Sequence, residues 1–362
     1  MTDYFTNKKL TRPNWIKQNH RSPFKLWLDK NECTDPILNE LVFESLTNIH
    51  PESVFSYPDL SKLYAKLAKY ARVNAENLLL SAGSDGAIRA CFETCIHPGD
   101  KVVITKPTFA MYDVYSKIYG ADVTWLEYES TDNGPILSID KILNAIKDVQ
   151  PKMVCLPNPD SPTGTIFSPN DMKKIIGVAG DVGALMLVDE AYYPLYQWTA
   201  VTLIDEYDHL VVVRSFSKSW GAAGLRVGYA ISNNELITLI HKQRPMYEIG
   251  NVSAQTIEIL LDHENDMLQS VTRVNAGKLY FQSEMTKLGF TTYASHGNFF
   301  HIKFGKYASP IHNALDDKVY YRKDFNVACL EGYSRFSATT KERFEPIVSC
   351  IIAAVNDIDM KK

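Results

Sequence analysis

From Asn77 onward the chain alternates short apolar runs with stretches of helical spacing. The runs are Leu78–Leu80, Val102–Ile104, Val123–Leu126, Met153–Leu156, Ala184–Val188, His209–Val213 and Val227–Ile231. Between them lie segments such as Ser138–Val149, whose apolar residues Ile139, Ile142, Leu143 and Ile146 share one helical face. Strands that alternate with amphipathic helices predict an α/β fold: a mostly parallel seven-stranded sheet covered on both faces.

The two ends of the chain read differently. The first forty-odd residues carry Pro13, Pro23 and Pro36 and little periodicity, and are expected to form an arm lying against the rest. After Pro245 the alternation stops. Ser253–Leu288 is helical in composition and free of proline. Strand-like runs follow at Phe299–Phe304, Lys318–Arg322 and Tyr333–Ser337, then a last helix from about Lys341. A smaller α+β unit is therefore expected, joined to the first by a long helix. The expected division is residues 1–45 as arm and part of the small domain, 46–255 as the large domain and 256–362 as the small one. No internal repeat or low-complexity stretch interrupts it.

Composition narrows the class. With 362 residues, 45% of them hydrophobic and 22% charged, the chain is long enough for a large core in two packed units. A net charge of −4 leaves no basic field for nucleic acid. No apolar run approaches the roughly 20 residues needed to cross a bilayer, and Met1–Leu10 lacks a signal-peptide core, so a cytoplasmic location is expected by default. The six cysteines form no C-x-x-C pair, and buried thiols in a reduced compartment are expected rather than a zinc site.

Four segments carry chemistry. Lys218, in Ser215-Phe-Ser-Lys218, directly follows the apolar run Leu210–Val213. Desolvation there would lower its pKa, and a neutral amine can attack an aldehyde. Arg226, eight residues on and among glycines, joins Ser215 and Ser217 as a candidate phosphate clamp. Asp189 ends the run Ala184–Val188, where open α/β sheets place their ligands. With Lys218 it suggests an anion beside a pyridine nitrogen. Ser81–Gly86 forms a small-residue turn into a helix whose N-terminus offers N–H groups to phosphate. Asn158–Gly164 makes a rigid turn that can aim side chains at a ligand.

The ordered motifs YPD (Tyr57–Asp59), GSDG (Gly83–Gly86), KPTFAMY (Lys106–Tyr112), NPDSPTG (Asn158–Gly164), VDEAY (Val188–Tyr192) and SFSKSWGAAGLRVGY (Ser215–Tyr229), with a late Arg335, carry a resemblance. Together they resemble the histidinol-phosphate aminotransferase family of fold-type I pyridoxal-phosphate enzymes, from about Leu28 to Ser337. The resemblance implies a pyridoxal 5'-phosphate enzyme in which Lys218 bonds the cofactor and shuttles a proton between substrate α-carbon and cofactor C4′. Asp189 would pair with the pyridine nitrogen, Tyr192 would donate to the phenolic oxygen, and Tyr112 would stack on the ring. Gly83, Ser84, Asp85, Ser215, Ser217 and Arg226 would form the phosphate cup. Tyr57 would reach the cofactor phosphate of a second subunit, which implies a homodimer. Arg335 would hold a substrate carboxylate, with Arg322 and Asn158 beside the substrate.

The sequence departs from that family at Ser161, where an asparagine is usual. A hydroxyl offers one donor rather than two to the phenolic oxygen, which is expected to raise the pKa of the lysine–cofactor link. Asn31-Glu-Cys-Thr34 and Arg244-Pro-Met-Tyr-Glu248 also differ from the family pattern near the substrate. The expected activity is an aminotransferase that takes an amino group from L-glutamate to a small keto or aldehyde acceptor, with or without a phosphate. The alternative is a phospho-amino-acid decarboxylase. A non-catalytic sensing domain is disfavoured by the retained Lys218 and Asp189. A nucleotide-binding oxidoreductase is disfavoured because Gly83–Gly86 does not fit G-x-G-x-x-G.

Overall fold

A computed structural model of the protein describes residues 20–360. All seven expected runs become strands of one sheet: β1 (Leu78–Ser81), β2 (Lys101–Lys106), β3 (Asp122–Glu127), β4 (Met153–Pro157), β5 (Leu185–Asp189), β6 (Leu210–Ser215) and β7 (Gly228–Ile231). Their order across the sheet is β1-β7-β6-β5-β4-β2-β3. Strands β2 to β6 pair in parallel, and β7 runs antiparallel to both its neighbours. One face of the sheet packs a core that includes Leu80, Val103, Val154, Met186 and Val212. The other face packs Leu79, Val102, Ile104, Cys155, Leu187 and Val213. Alternate residues of the same strand serve opposite cores, which is why these strands read as continuous apolar runs.

The C-terminal part builds a three-stranded antiparallel sheet from β8 (Thr291–Thr292), β9 (Phe299–Lys303) and β10 (Tyr333–Ser337). Phe281, Phe300, Phe336 and Phe344 pack its core. The expected long helix is divided: Asn251–Leu260 ends in a tight turn at Leu261–His263, and Glu264–Lys287 continues. The run Lys318–Arg322 does not join this sheet as a strand. Val319–Tyr320 pairs instead with Leu26–Trp27, and Arg322 makes a single bridge to Arg335.

The arm contains more structure than its prolines suggested, although residues 1–19, including Pro13, lie outside the described region. Pro36 opens a helix, Pro36–Thr47, because a proline's missing N–H costs nothing in the first turn. The Asp35 side chain caps it by accepting from the Ile37 N–H, while its second oxygen binds Arg273 at 2.6 Å. The segment just before that helix, Asp29–Glu32, runs across the carboxyl ends of the large sheet's strands and roofs a pocket there.

Candidate active site

The pocket has a volume of about 660 Å³, a size suited to a cofactor with its substrate. Five cationic residues line it (Lys30, Lys218, Arg226, Arg322 and Arg335) against three acidic ones (Glu32, Asp85 and Asp189). That balance favours anionic ligands.

Strands β5 and β6 end side by side, with Asp189 opposite Val213 in register. The next residues lock these ends. Glu190 accepts from Arg214 Nε at 3.0 Å, from its Nη2 at 2.9 Å and from the Ala200 N–H at 2.7 Å, all buried. Asp189 and the turn leading to Lys218 therefore emerge from one rigid edge. Burial pushes the Asp189 carboxyl up to about 6, against the stabilising Ala191 N–H (2.9 Å) and Tyr112 O–H (3.1 Å). Burial, with the charges of Arg335 and Arg226, pulls the Lys218 ammonium down to about 8. Its Nζ donates to the Lys30 carbonyl of the roof at 3.1 Å. The pocket thus holds a carboxyl that gains from a nearby cation and an amine close to neutrality at physiological pH.

At one end lies the N-terminus of the helix Gly83–Cys95. Gly83 has φ +75°, and a side chain there would meet the Arg226 guanidinium. A Cβ on Gly228 would collide with the Gly83–Ser84 backbone, so small residues let this turn sit against β7. Arg226 Nη1 donates to Ser217 Oγ at 3.2 Å, and the Ser217 N–H donates to Ser215 Oγ at 3.0 Å. Ser84, Ser215, Ser217 and Arg226 all face the pocket. Free helix N–H groups, hydroxyls and a guanidinium form a phosphate cradle. Asp85 also lines it, and its carboxylate is tied to the Tyr115 O–H at 2.9 Å.

At the other end Arg322 and Arg335 exchange backbone hydrogen bonds of 3.0 and 2.8 Å. Both side chains reach the Asp29 carbonyl, at 3.3 and 3.0 Å. Burial pulls Arg335 down to about 10, so it stays charged at neutral pH, and its buried Nε has no protein acceptor. A buried cation with an unused donor suits an incoming carboxylate.

Three of the named side chains stand off this pocket's wall, Tyr57 being the one expected to serve a second subunit. Tyr112 is fully buried and absent from the pocket wall, and its O–H donates to Asp189. Phe109, three residues earlier in the same motif, lines the pocket and keeps 40% exposure. The spacing of KPTFAMY offered two aromatics, and the start of the helix Met111–Tyr119 turned the second one inward. Asn158 is also buried. Its amide oxygen accepts from the Phe167 N–H at 2.8 Å and holds the turn, while its buried Nδ2 has no partner among the described residues; it is absent from the pocket wall. Tyr57 stands outside this pocket, 77% exposed and stacked on Tyr247 at 4.3 Å.

Asp160, unremarked in the sequence, anchors the Ser161 turn. Its carboxylate accepts from Thr105 (2.9 Å), Thr108 (3.0 Å) and Tyr128 (2.9 Å), and burial pushes it up to about 7. Asp160→Ala strands two buried hydroxyl donors and a half-buried one, and is expected to cost roughly 3 kcal/mol in urea unfolding. A loss below 1 kcal/mol would mean that the hydroxyls find other acceptors. Asn31 was likewise missed as a contact of Tyr192: its Nδ2 lies 2.8 Å from the Tyr192 O–H. Nothing local in the sequence signals either contact.

A mostly parallel sheet with a half-buried lysine and a buried aspartate at its carboxyl edge, beside a phosphate cradle, defines a pyridoxal-phosphate enzyme of fold type I. The chain belongs to the aminotransferase class I and II family, whose sequence model matches residues 24–351. It is a pyridoxal-phosphate-dependent aminotransferase. It is 31% identical over 336 residues to a histidinol-phosphate aminotransferase of Caldanaerobacter subterraneus subsp. tengcongensis, covering 91% of this chain and 93% of that one. Among solved structures, the histidinol-phosphate aminotransferase of Clostridium acetobutylicum superposes with a TM-score of 0.79 at 18% identity, over 92% of this chain and 99% of that one. L-threonine-O-3-phosphate decarboxylase of Porphyromonas gingivalis superposes with a TM-score of 0.73 at 18% identity, over 93% and 100%. Likeness at that identity speaks to the fold alone. No helix among the described residues is long and apolar enough to cross a membrane.

Proposed function

We propose that this aminotransferase takes its amino group from L-glutamate and passes it to a small phosphorylated keto or aldehyde acceptor. The observation that carries this reading is the pair Arg322 and Arg335, bridged to each other at the pocket's outer end. One guanidinium can hold the carboxylate of a donor, and the same pair can hold the phosphate of an acceptor. The relatives named as histidinol-phosphate aminotransferases support a phosphorylated substrate.

When bound, pyridoxal phosphate supplies an electron sink for negative charge at the substrate's α-carbon. Ser84, Ser215, Ser217 and Arg226 would hold its phosphate, Asp189 its pyridine nitrogen, and Tyr192 with Ser161 its phenolic oxygen. Phe109 takes the stacking position. Lys218 accepts the substrate's α-proton and returns it one position away. The pocket walls exclude water around that transfer.

We further read the exposed apolar residues Val54, Phe55, Tyr57, Met246 and Tyr247 as part of a homodimer interface, with Tyr57 reaching the cofactor phosphate of the second subunit. Light scattering of the purified protein is expected to give twice the chain mass.

The substrate reading is tested by adding L-glutamate to the yellow protein. Bleaching of the visible band, restored by a phosphorylated keto or aldehyde compound but not by its dephosphorylated form, is the expected result. Carbon dioxide release from phosphothreonine, with glutamate inert, would replace the reading with a decarboxylase. An acceptor that works equally well without its phosphate would overturn the phosphate assignment.

A further inference from the structure

Ser161 offers one donor where an amide would offer two, so the phenolic oxygen of the cofactor depends more heavily on Tyr192. Tyr192 is buried, and its hydroxyl hydrogen-bonds with both Ser161 and Asn31. A phenol that can turn its proton toward either of two partners is a poor dedicated donor. The structure supplies a group that removes the choice.

Asn31 sits in the roof with φ +56°, a left-handed conformation that asparagine tolerates better than most residues. Each of its polar groups is engaged. The backbone N–H donates to Ser337 Oγ at 2.8 Å. The backbone carbonyl accepts from Asn298 Nδ2 at 2.9 Å. The side-chain Oδ1 accepts from Ser337 Oγ at 3.4 Å, and Nδ2 lies 2.8 Å from the Tyr192 hydroxyl. Ser337 Oγ already accepts from the Asn31 N–H, so its own proton is free to go to Oδ1, and that arrangement turns Nδ2 toward Tyr192. An amide N–H has no lone pair to accept a proton. The Tyr192 oxygen must therefore accept from Asn31 and spend its own proton elsewhere.

We propose that Asn31 is a positioning residue that makes Tyr192 a dedicated donor to the phenolic oxygen of bound pyridoxal phosphate, offsetting the serine at position 161. The proposal rests on the cofactor assignment given above. Accepting one hydrogen bond also polarises the Tyr192 O–H and strengthens its donation. The amide belongs to a segment fastened to β10, the strand that carries Arg335, so the group that binds the substrate carboxylate and the group that orients Tyr192 share one support.

The test is the pH midpoint of the visible transition of the cofactor-loaded protein, which rises when the phenolic oxygen loses donor strength. Asn31→Gly is the variant of choice, because glycine keeps the positive φ without strain while removing the amide. The midpoint is expected to rise by about 0.5–1 pH unit, more than Ser161→Asn moves it. In a Tyr192→Phe background, Asn31→Gly is expected to add no further shift, which a merely structural role would not produce. Ser337→Ala, which frees the amide to flip, is expected to shift the midpoint the same way by less, and serves if the glycine variant fails to fold. A yellow protein whose midpoint is unchanged in both Asn31→Gly and Ser337→Ala overturns the proposal. So does an equal shift with and without Tyr192. Absence of any visible band from the unsubstituted protein would instead overturn the cofactor assignment on which the proposal rests.

Discussion

Lys218→Ala is expected to yield a folded protein that retains no covalently attached cofactor, shows no yellow band, and loses on the order of 10⁴-fold or more in turnover. In the proposed mechanism this side chain bonds the cofactor aldehyde and moves the proton, and no second amine stands ready to replace it: Lys30, the other lysine of the pocket wall, lies in the roof and gives Lys218 only its backbone carbonyl. The unsubstituted protein adds a pH signature. Its lysine is pulled down to about 8, chiefly by burial. Only the neutral amine attacks an aldehyde, so the rate of cofactor uptake by the apoprotein should climb with pH up to about 8 and then level off. A lysine of ordinary pKa would keep climbing toward about 10.4. Following the visible band after mixing apoprotein with pyridoxal phosphate, at pH values from 6 to 10, distinguishes the two. A rate still rising at pH 10 would show that burial does not tune this amine.

Asp189→Asn separates activity from stability. Turnover is expected to fall on the order of 10³-fold, because a neutral amide no longer stabilises the positive charge at the pyridine nitrogen. The apoprotein should nevertheless become more stable at pH 8. Burial raises the Asp189 carboxyl from 3.8 to about 6, so its ionised form is disfavoured in the folded state. Stability of the unsubstituted apoprotein therefore declines as pH rises from about 4 to about 6, and the cost persists above that. Asparagine carries no such cost, while its oxygen can still accept from the Ala191 N–H. Thermal unfolding of both apoproteins should show the variant's advantage at pH 8 shrinking toward pH 4. A less stable variant at pH 8 would mean that the Tyr112 and Ala191 contacts outweigh desolvation. A buried acid that destabilises the empty protein yet serves the loaded one is the pattern expected of a site shaped for its ligand.

The local order of the chain carried the large sheet and the centre of the site. Short apolar runs that alternate with amphipathic helical stretches fit strands of a covered parallel sheet, so all seven were legible. Asp189 ends such a run and Lys218 follows three residues after strand β6, which puts both at the sheet's carboxyl edge and on the pocket wall. Glycines around Arg226 and Gly83 marked the phosphate cradle, because close backbone approach leaves a compositional trace.

What tertiary structure alone decided were contacts between residues distant in the chain. Tyr112 and Phe109 share one motif, and only packing of the helix Met111–Tyr119 against the sheet showed which ring faces the pocket. Asp160 meets Thr105 and Tyr128 because β2 and β4 are neighbours, an adjacency that no local pattern encodes. Lys318–Arg322 had the composition of a strand, yet its partner proved to be the arm at Leu26–Trp27. Asn31 reaches Tyr192, 161 positions away, only because that arm is fastened to the C-terminal strands. Hydrophobic periodicity acts over a few residues and so is written in the sequence. The direction of a single hydrogen bond depends on where two remote segments are brought to rest.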